Sequence, residues 1–248
     1  MGFLSKLGIG IGSTSRDVSR SIQGSNRPRA AGVPPIAVGS ARAPEMGETS
    51  RISNGLKELL WNLDGLGRGT LLDLGPAWQT TLSFFIERGF RVSSEDILRA
   101  WKTFLAEEET RLHEPGAMLD SLDMTPNGRA ARFLESNLKY SPASFDAVLL
   151  WDILDYLEPA LGRQVVTSLT DLLRPGGVVF AMFHSKKPEG FQRYRVADSN
   201  TLQLISTPLL CPAQKVFQNR EIQDLFSRFR TMKSFVSRDQ LRETLFIK

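Results

Sequence analysis

An α/β fold with a mostly parallel sheet follows from three features of the 248-residue chain. Short apolar runs alternate with longer stretches whose apolar residues recur at helical spacing. The runs (Leu71–Leu74, Phe90–Val92, Phe145–Trp151 and Val178–Phe183) are apolar on both faces, as strands covered on both sides must be. The helical stretches between them are roughly 10–17 residues long, enough for the crossovers that join parallel strands. Near the carboxyl end the pattern changes. Ile222, Leu225, Phe226 and Phe229 form an amphipathic helix, and Met232–Val236 and Leu241–Ile247 follow as two runs joined by Ser237-Arg238-Asp239-Gln240. That arrangement predicts an antiparallel hairpin completing the sheet edge.

Composition sets the outer bounds. Hydrophobic residues make up 41% and charged residues 23%, so a sizeable core is available and wholesale disorder is excluded. The single cysteine, Cys211, rules out a disulfide framework and a thiolate zinc cluster; between Leu210 and Pro212 it reads as a small buried filler. His113 and His184 have no second ligand at metal spacing, so no metal is expected. No apolar run reaches the length of about 18 residues that a membrane span needs. A reducing compartment, and hence a cytoplasmic location, is the expectation.

Residues 1–50 read as a disordered basic tail and 51–248 as the folded domain. Gly, Ser, Arg, Pro and Ala dominate the tail without sustained periodicity, and its only apolar cluster, Phe3 to Ile11, is broken by glycines. Six basic residues against three acidic ones place +3 of the +4 net charge there. The body is nearly neutral, which argues against a nucleic-acid partner. Docking of the tail on a protein or a membrane surface stays open as a minor alternative.

In chain order, Ile52, Leu56, Leu59, Leu60 and Leu63 predict the first helix, stopped by Asp64-Gly65-Leu66-Gly67. The strand Leu71–Leu74 ends in a glycine turn, and Leu82, Phe85 and Ile86 line the helix after it. Phe90–Val92 ends at Glu95-Asp96. A helix from Asp96 to Leu112 turns Ile97, Trp101, Phe104 and Leu105 inward and leaves Glu107, Glu108 and Glu109 as a solvated face. His113, at its end, reads as a capping or surface residue. Residues 113–132 are ambiguous. Leu161, Val165, Leu169, Leu172 and Leu173 line a helix closed by Arg174-Pro175-Gly176-Gly177. Ligands of such sheets bind beyond the carboxyl ends of the strands, which directs attention to Gly75, Glu95, Asn137, Trp151-Asp152 and His184.

Four motifs then stand in a specific order: Asp73-Leu74-Gly75-Pro76-Ala77, Val92-Ser93-Ser94-Glu95-Asp96, Ser144-Phe145-Asp146-Ala147-Val148 and Leu172-Leu173-Arg174-Pro175-Gly176-Gly177. Together they resemble the class I S-adenosylmethionine-dependent methyltransferases, motif by motif over residues 56–183. The resemblance implies a Rossmann-like, doubly wound sheet with the terminal hairpin in place, and S-adenosyl-L-methionine as cofactor. It places Gly75 and Ala77 in the turn that cradles the cofactor's amino-acid part, with Asp73 holding the ammonium end. Glu95 would accept both ribose hydroxyls, which a carboxylate does bidentately, with Asp96 competing for that role or capping the next helix. Asn137, beside Leu138, would meet the adenine amino group where the family usually has Asp. Trp151 would wall the cofactor or serve the core alone. The glycine turn departs from the family pattern, because Ala77 and Gln79 replace its second and third glycines and Trp78 stands between them.

Catalysis points to His184 and Tyr156, which follow the strands expected to flank the methyl group. His184 has an unperturbed pKa of about 6.5, suited to a general base, although a lone histidine is more often structural. A small-molecule acceptor is expected. Asp152-Ile153-Leu154 stands in place of an Asn/Asp-Pro-Pro-aromatic motif, which argues against methylation of base amino groups or glutamine amides. Lys186, Lys187, Arg193 and Arg195 around Phe191 and Tyr194 form either a substrate-holding patch or an exposed, solvated hairpin.

Overall fold

The computed structural model describes residues 48–113 and 123–248. The tail up to residue 47, with its Phe3–Ile11 cluster, lies outside them, as does Glu114-Pro115. From the amino end come strand Glu48–Ile52 (β1), helix Asn54–Leu63 (α1), strand Gly69–Asp73 (β2), helix Gln79–Ile86 (α2) and strand Phe90–Ser94 (β3). Helices Ile97–Leu112 (α3) and Pro126–Asn137 (α4) lead to strand Phe145–Trp151 (β4), a 3₁₀ turn at Ile153–Asp155 and helix Pro159–Leu172 (α5). Strands Leu173–His184 (β5), Phe191–Val196 (β6) and Thr201–Thr207 (β7), helix Asn219–Leu225 (α6), and strands Thr231–Val236 (β8) and Leu241–Ile247 (β9) complete it.

The main sheet has the order β3-β2-β4-β5-β9-β8. β3, β2, β4 and β5 are mutually parallel, and β9 runs antiparallel to both β5 and β8. Alternation along each strand splits the core in two. Leu72, Val148, Leu150, Val179, Ala181 and Phe183 face α3 to α6, where Phe246 stacks on Phe226 at 3.6 Å. Leu71, Ala147, Leu149, Val178, Phe180 and Met182 face α1, α2 and a second sheet. Both faces are therefore covered, the doubly wound arrangement expected, and the terminal hairpin occupies the expected strands.

Five local expectations are corrected. Glu48–Ser50 fall within the predicted tail but form β1, paired with β7; β6 completes this antiparallel sheet in the order β1-β7-β6. Ile52 ends that strand, 60% exposed, instead of opening the helix, because the Ser53 side chain accepts from Leu56 N and starts α1 one residue later. Glu108 is not solvated. It is buried against α4, where Arg129 and Arg132 pair with it, so an acid inside a charged run has two guanidinium partners that periodicity could not show. Among the described residues no strand lies between β3 and β4, so Asn137 ends helix α4 instead of following a strand. β5 also begins at Leu173, ahead of the glycine pair read as a helix stop.

The second sheet is tied to the first by a buried ion pair. Arg51 Nη2 of β1 lies 2.9 Å from Glu243 Oε1 of β9, and Gly55 N donates to Glu243 Oε2 at 2.6 Å. Breaking such a pair from one side strands the other charge, which costs about 3–5 kcal/mol. Arg51→Ala should therefore lower the unfolding free energy by about 3 kcal/mol, and adding Glu243→Gln should recover part of that loss. Urea denaturation of the two variants measures both; a loss below about 1 kcal/mol would mean the pair behaves as a surface contact.

Candidate functional site

Because β2, β3, β4 and β5 are parallel, Asp73, Ser94, Trp151 and His184 all end at the same edge of the sheet. The loops that follow hold most of the residues singled out in the sequence. Asp73 is 1% exposed, and its Oδ1 accepts from Gly75 N at 2.9 Å and from the Trp151 indole Nε1 at 2.7 Å. Burial pushes its carboxyl up to about 6. Leu74 N donates to Leu149 O, and Glu95 N donates to Asp73 O, so the turn is stitched to β4 on one side and the β3 loop on the other.

The indole lies against Gly75. A Cβ built there would come within 2.8 Å of Trp151 Cδ1 and Nε1, so only glycine fits beneath the ring. Trp151 itself has φ of +52° and follows a register irregularity between Leu149 and Trp151, an unusual conformation for a bulky residue. Its ring stacks on Tyr194 at 5.9 Å and 12° and meets the edge of Phe180. The departures from the glycine pattern are accommodated outside this contact: Ala77 is exposed, and Gln79 is exposed and bonded to Ser83 of its own helix.

Glu95 Oε1 accepts from the Tyr140 hydroxyl at 2.6 Å, and burial with the nearby carboxylate raises the Tyr140 phenol to about 12. Asp96 caps α3, accepting from Arg99 N, and also receives Arg193 Nη2 at 3.1 Å. Asn137 turns its amide back onto Phe133 O within α4, and Leu138 is a buried cap residue. Asp96 and Asn137 nevertheless line one cleft of about 670 Å³ between α3 and α4, with Ala100, Thr103 and Phe104.

His184 is not alone. Asp155 Oδ2 accepts from His184 N at 2.8 Å and lies 2.9 Å from His184 Nδ1, while Asp152 Oδ2 stands 3.8 Å away. The proton at Nδ1 leaves Nε2 with the lone pair in the neutral ring. Although burial pulls the imidazole down, the Asp155 hydrogen bond and the two carboxylates carry its pKa above the usual value. Asp152 is buried, accepts from the Tyr194 hydroxyl at 2.9 Å, and is pushed up to about 7 by burial. The Tyr156 hydroxyl is buried with no partner among the described residues, and burial followed by Asp152 and Asp155 drives its pKa upward, which keeps it protonated.

The sequence reading missed Asp155 as the partner of His184 and Tyr194 as the partner of Asp152. The signal was present: two acids three residues apart in the turn after a buried strand. Of the basic patch, Arg193 and Tyr194 are buried and bonded to the site, so the exposed-hairpin alternative does not describe β6.

Four parallel strands, helices on both faces and a reversed terminal hairpin make this a Rossmann-like α/β fold, the fold that the resemblance in the sequence implies. No protein-family model and no curated protein matches the sequence. Among solved structures the chain is similar to the 1,6-didemethyltoxoflavin N1-methyltransferase of Burkholderia thailandensis, solved with 1,6-didemethyltoxoflavin and S-adenosylhomocysteine. That match has 16% identity, covers 79% of either chain and has a TM-score of 0.41. An S-adenosylmethionine-dependent methyltransferase from Mesorhizobium loti matches at 13% identity, over 77% of this chain and 96% of its own, with a TM-score of 0.41. One from Methanosarcina mazei matches at 15%, over 73% and 92%, with a TM-score of 0.36. It is the strand order, not these likenesses, that defines the fold.

The raised carboxyls give the fold a defined pH dependence. A carboxyl whose pKa is higher in the folded state binds its proton more tightly there, so stability falls as pH rises from about 3.8 to the folded values of about 6 and 7. His184 acts in the same sense, its contribution being complete below about 6.5 and lost as pH passes its raised value. The urea midpoint should therefore decline between pH 4 and 7, and Asp152→Asn should flatten that decline. A midpoint that climbs over this range would contradict the burial of both carboxylates.

Proposed function

We propose that this protein is an S-adenosylmethionine-dependent methyltransferase acting on a small-molecule acceptor, with His184 as general base. The observation supporting it is the convergence of Asp73, Gly75, Glu95 and the Asp155–His184 pair at the carboxyl ends of parallel strands. The acceptors suit the cofactor: a carboxylate for the ammonium end at Asp73 and another for ribose hydroxyls at Glu95. The space does not suit it while the Trp151 indole stands against Gly75.

When bound, such a cofactor supplies an electrophilic methyl group on a sulfonium. What this chain adds is position and proton removal. Asp155 fixes the imidazole through Nδ1, and Nε2 can take the proton from an acceptor hydroxyl or amine. Tyr156, held protonated, serves as a donor or as packing rather than as the base. β6 lies over the strand ends through Tyr194 and Arg193, where it excludes water from the acceptor's side.

A second reading, a methyltransferase-fold binding module without activity, is favoured by one observation: the same indole at Gly75. S-adenosylhomocysteine titration by calorimetry separates the two. Glu95→Ala should weaken binding by about 1.5–3 kcal/mol, the worth of a charge-assisted hydrogen bond, while Tyr140→Phe costs less. Once an acceptor is found through release of S-adenosylhomocysteine across a metabolite panel, His184→Gln should lower kcat by about 10²–10⁴-fold and spare cofactor affinity. Full turnover in that variant would remove His184 as base.

A further inference from the structure

The Trp151 side chain has two properties that packing alone does not require. Its Nε1–H donates to Asp73 Oδ1, the carboxylate oxygen that also receives Gly75 N, and its ring fills the space over Gly75. We propose that Trp151 is an intramolecular occupant of the cofactor's amino-acid subsite, a plug that leaves before S-adenosylmethionine enters; this rests on the methyltransferase reading above.

The chemistry of the substitution is direct. An indole N–H and an ammonium are both donors, and the buried Asp73 carboxylate needs donors whenever it is ionised. With Trp151 in place Asp73 has two, so the closed state satisfies it without a ligand. The ring and a ligand's amino-acid chain cannot share the space, because even one carbon on Gly75 would overlap the indole.

The way Trp151 is aimed supports a specific role. The irregularity at the end of β4 and the left-handed backbone at residue 151 stand where the side chain meets the glycine turn, on the face it shares with Ala147 and Leu149. Tyr194, itself fixed to Asp152, stacks on the outer face of the ring. The plug is thus clamped between the glycine turn and β6, and its release is coupled to the sheet that covers the acceptor's side. Binding then requires the open state, so apparent affinity falls by the fraction of molecules that are open.

Calorimetric titration of the full chain with S-adenosylhomocysteine, alongside Trp151→Ala and Trp151→Phe, tests this. Trp151→Ala should bind about tenfold or more tightly than the unsubstituted chain, as expected when a closed state is removed. Trp151→Phe keeps an aromatic ring but loses the N–H, and should gain less. A second readout needs no truncation. The Trp151 indole N–H resonance in ¹H–¹⁵N spectra, assigned by its loss in Trp151→Phe, should exchange slowly without ligand, then shift and exchange faster at saturating S-adenosylhomocysteine. If both variants bind no more tightly than the unsubstituted chain, or the indole signal is unmoved at saturation, the plug is wrong and the cofactor reading stands. If no form binds, both fall.

Discussion

A buried carboxylate has to be given donors, and the site at the strand ends is arranged around how Asp73 gets its own. It is almost wholly out of water, and burial, opposed by its hydrogen bonds, leaves its pKa raised to about 6. The Gly75 amide and the Trp151 indole supply the two hydrogen bonds that hold its charged form. Each donor is tied to something further: the amide to the turn after β2, and the indole to the irregular, left-handed residue that ends β4. Tyr194 then packs on the indole and anchors to Asp152, which draws β6 over the edge of the sheet. A chain of contacts from one carboxylate thus reaches from the parallel sheet to the antiparallel one.

The second cluster uses the same physics with a different result. Asp155, Asp152, His184, Tyr156 and Tyr194 are gathered where β4 and β5 end, with little water among them. Low local dielectric makes each unpaired charge costly and each hydrogen bond strong. Asp155 spends its Oδ2 on both the amide and the ring of His184, while Asp152 takes the phenol of Tyr194. The imidazole emerges oriented and with a raised affinity for protons. The neighbouring Tyr156 hydroxyl, with no partner among the described residues and two carboxylates nearby, emerges as a group that holds its proton.

Both clusters touch the small sheet β1-β7-β6 through Tyr194 and Phe191 of β6, which makes that sheet part of the site as well as part of the core. It is fastened at its far edge by Arg51 and Glu243 and over the strand ends by Arg193 and Tyr194. Val196 N also donates to the Thr81 hydroxyl in α2, on the helix that follows the glycine turn. Access to the strand ends on this side therefore depends on contacts made by residues distant in the chain.

The sequence by itself determined the alternation of buried strands with amphipathic helices, the glycine turn after Asp73, the acid pair Glu95-Asp96 and the closing hairpin. These are legible because each is written in local periodicity or in a residue that a turn demands. Asp96 as helix cap was legible for the same reason, since the cap bond spans only three residues. Tertiary structure decided the rest. That Glu108 faces arginines, that Asp155 holds His184, and that Trp151 lies on Gly75 are contacts between residues 21 to 76 positions apart. β1 went unread because a short strand whose partner, β7, is remote in the chain leaves little trace in its own pattern. Periodicity tells which face of an element is buried; what it is buried against is fixed only when the sheet brings its strand ends together.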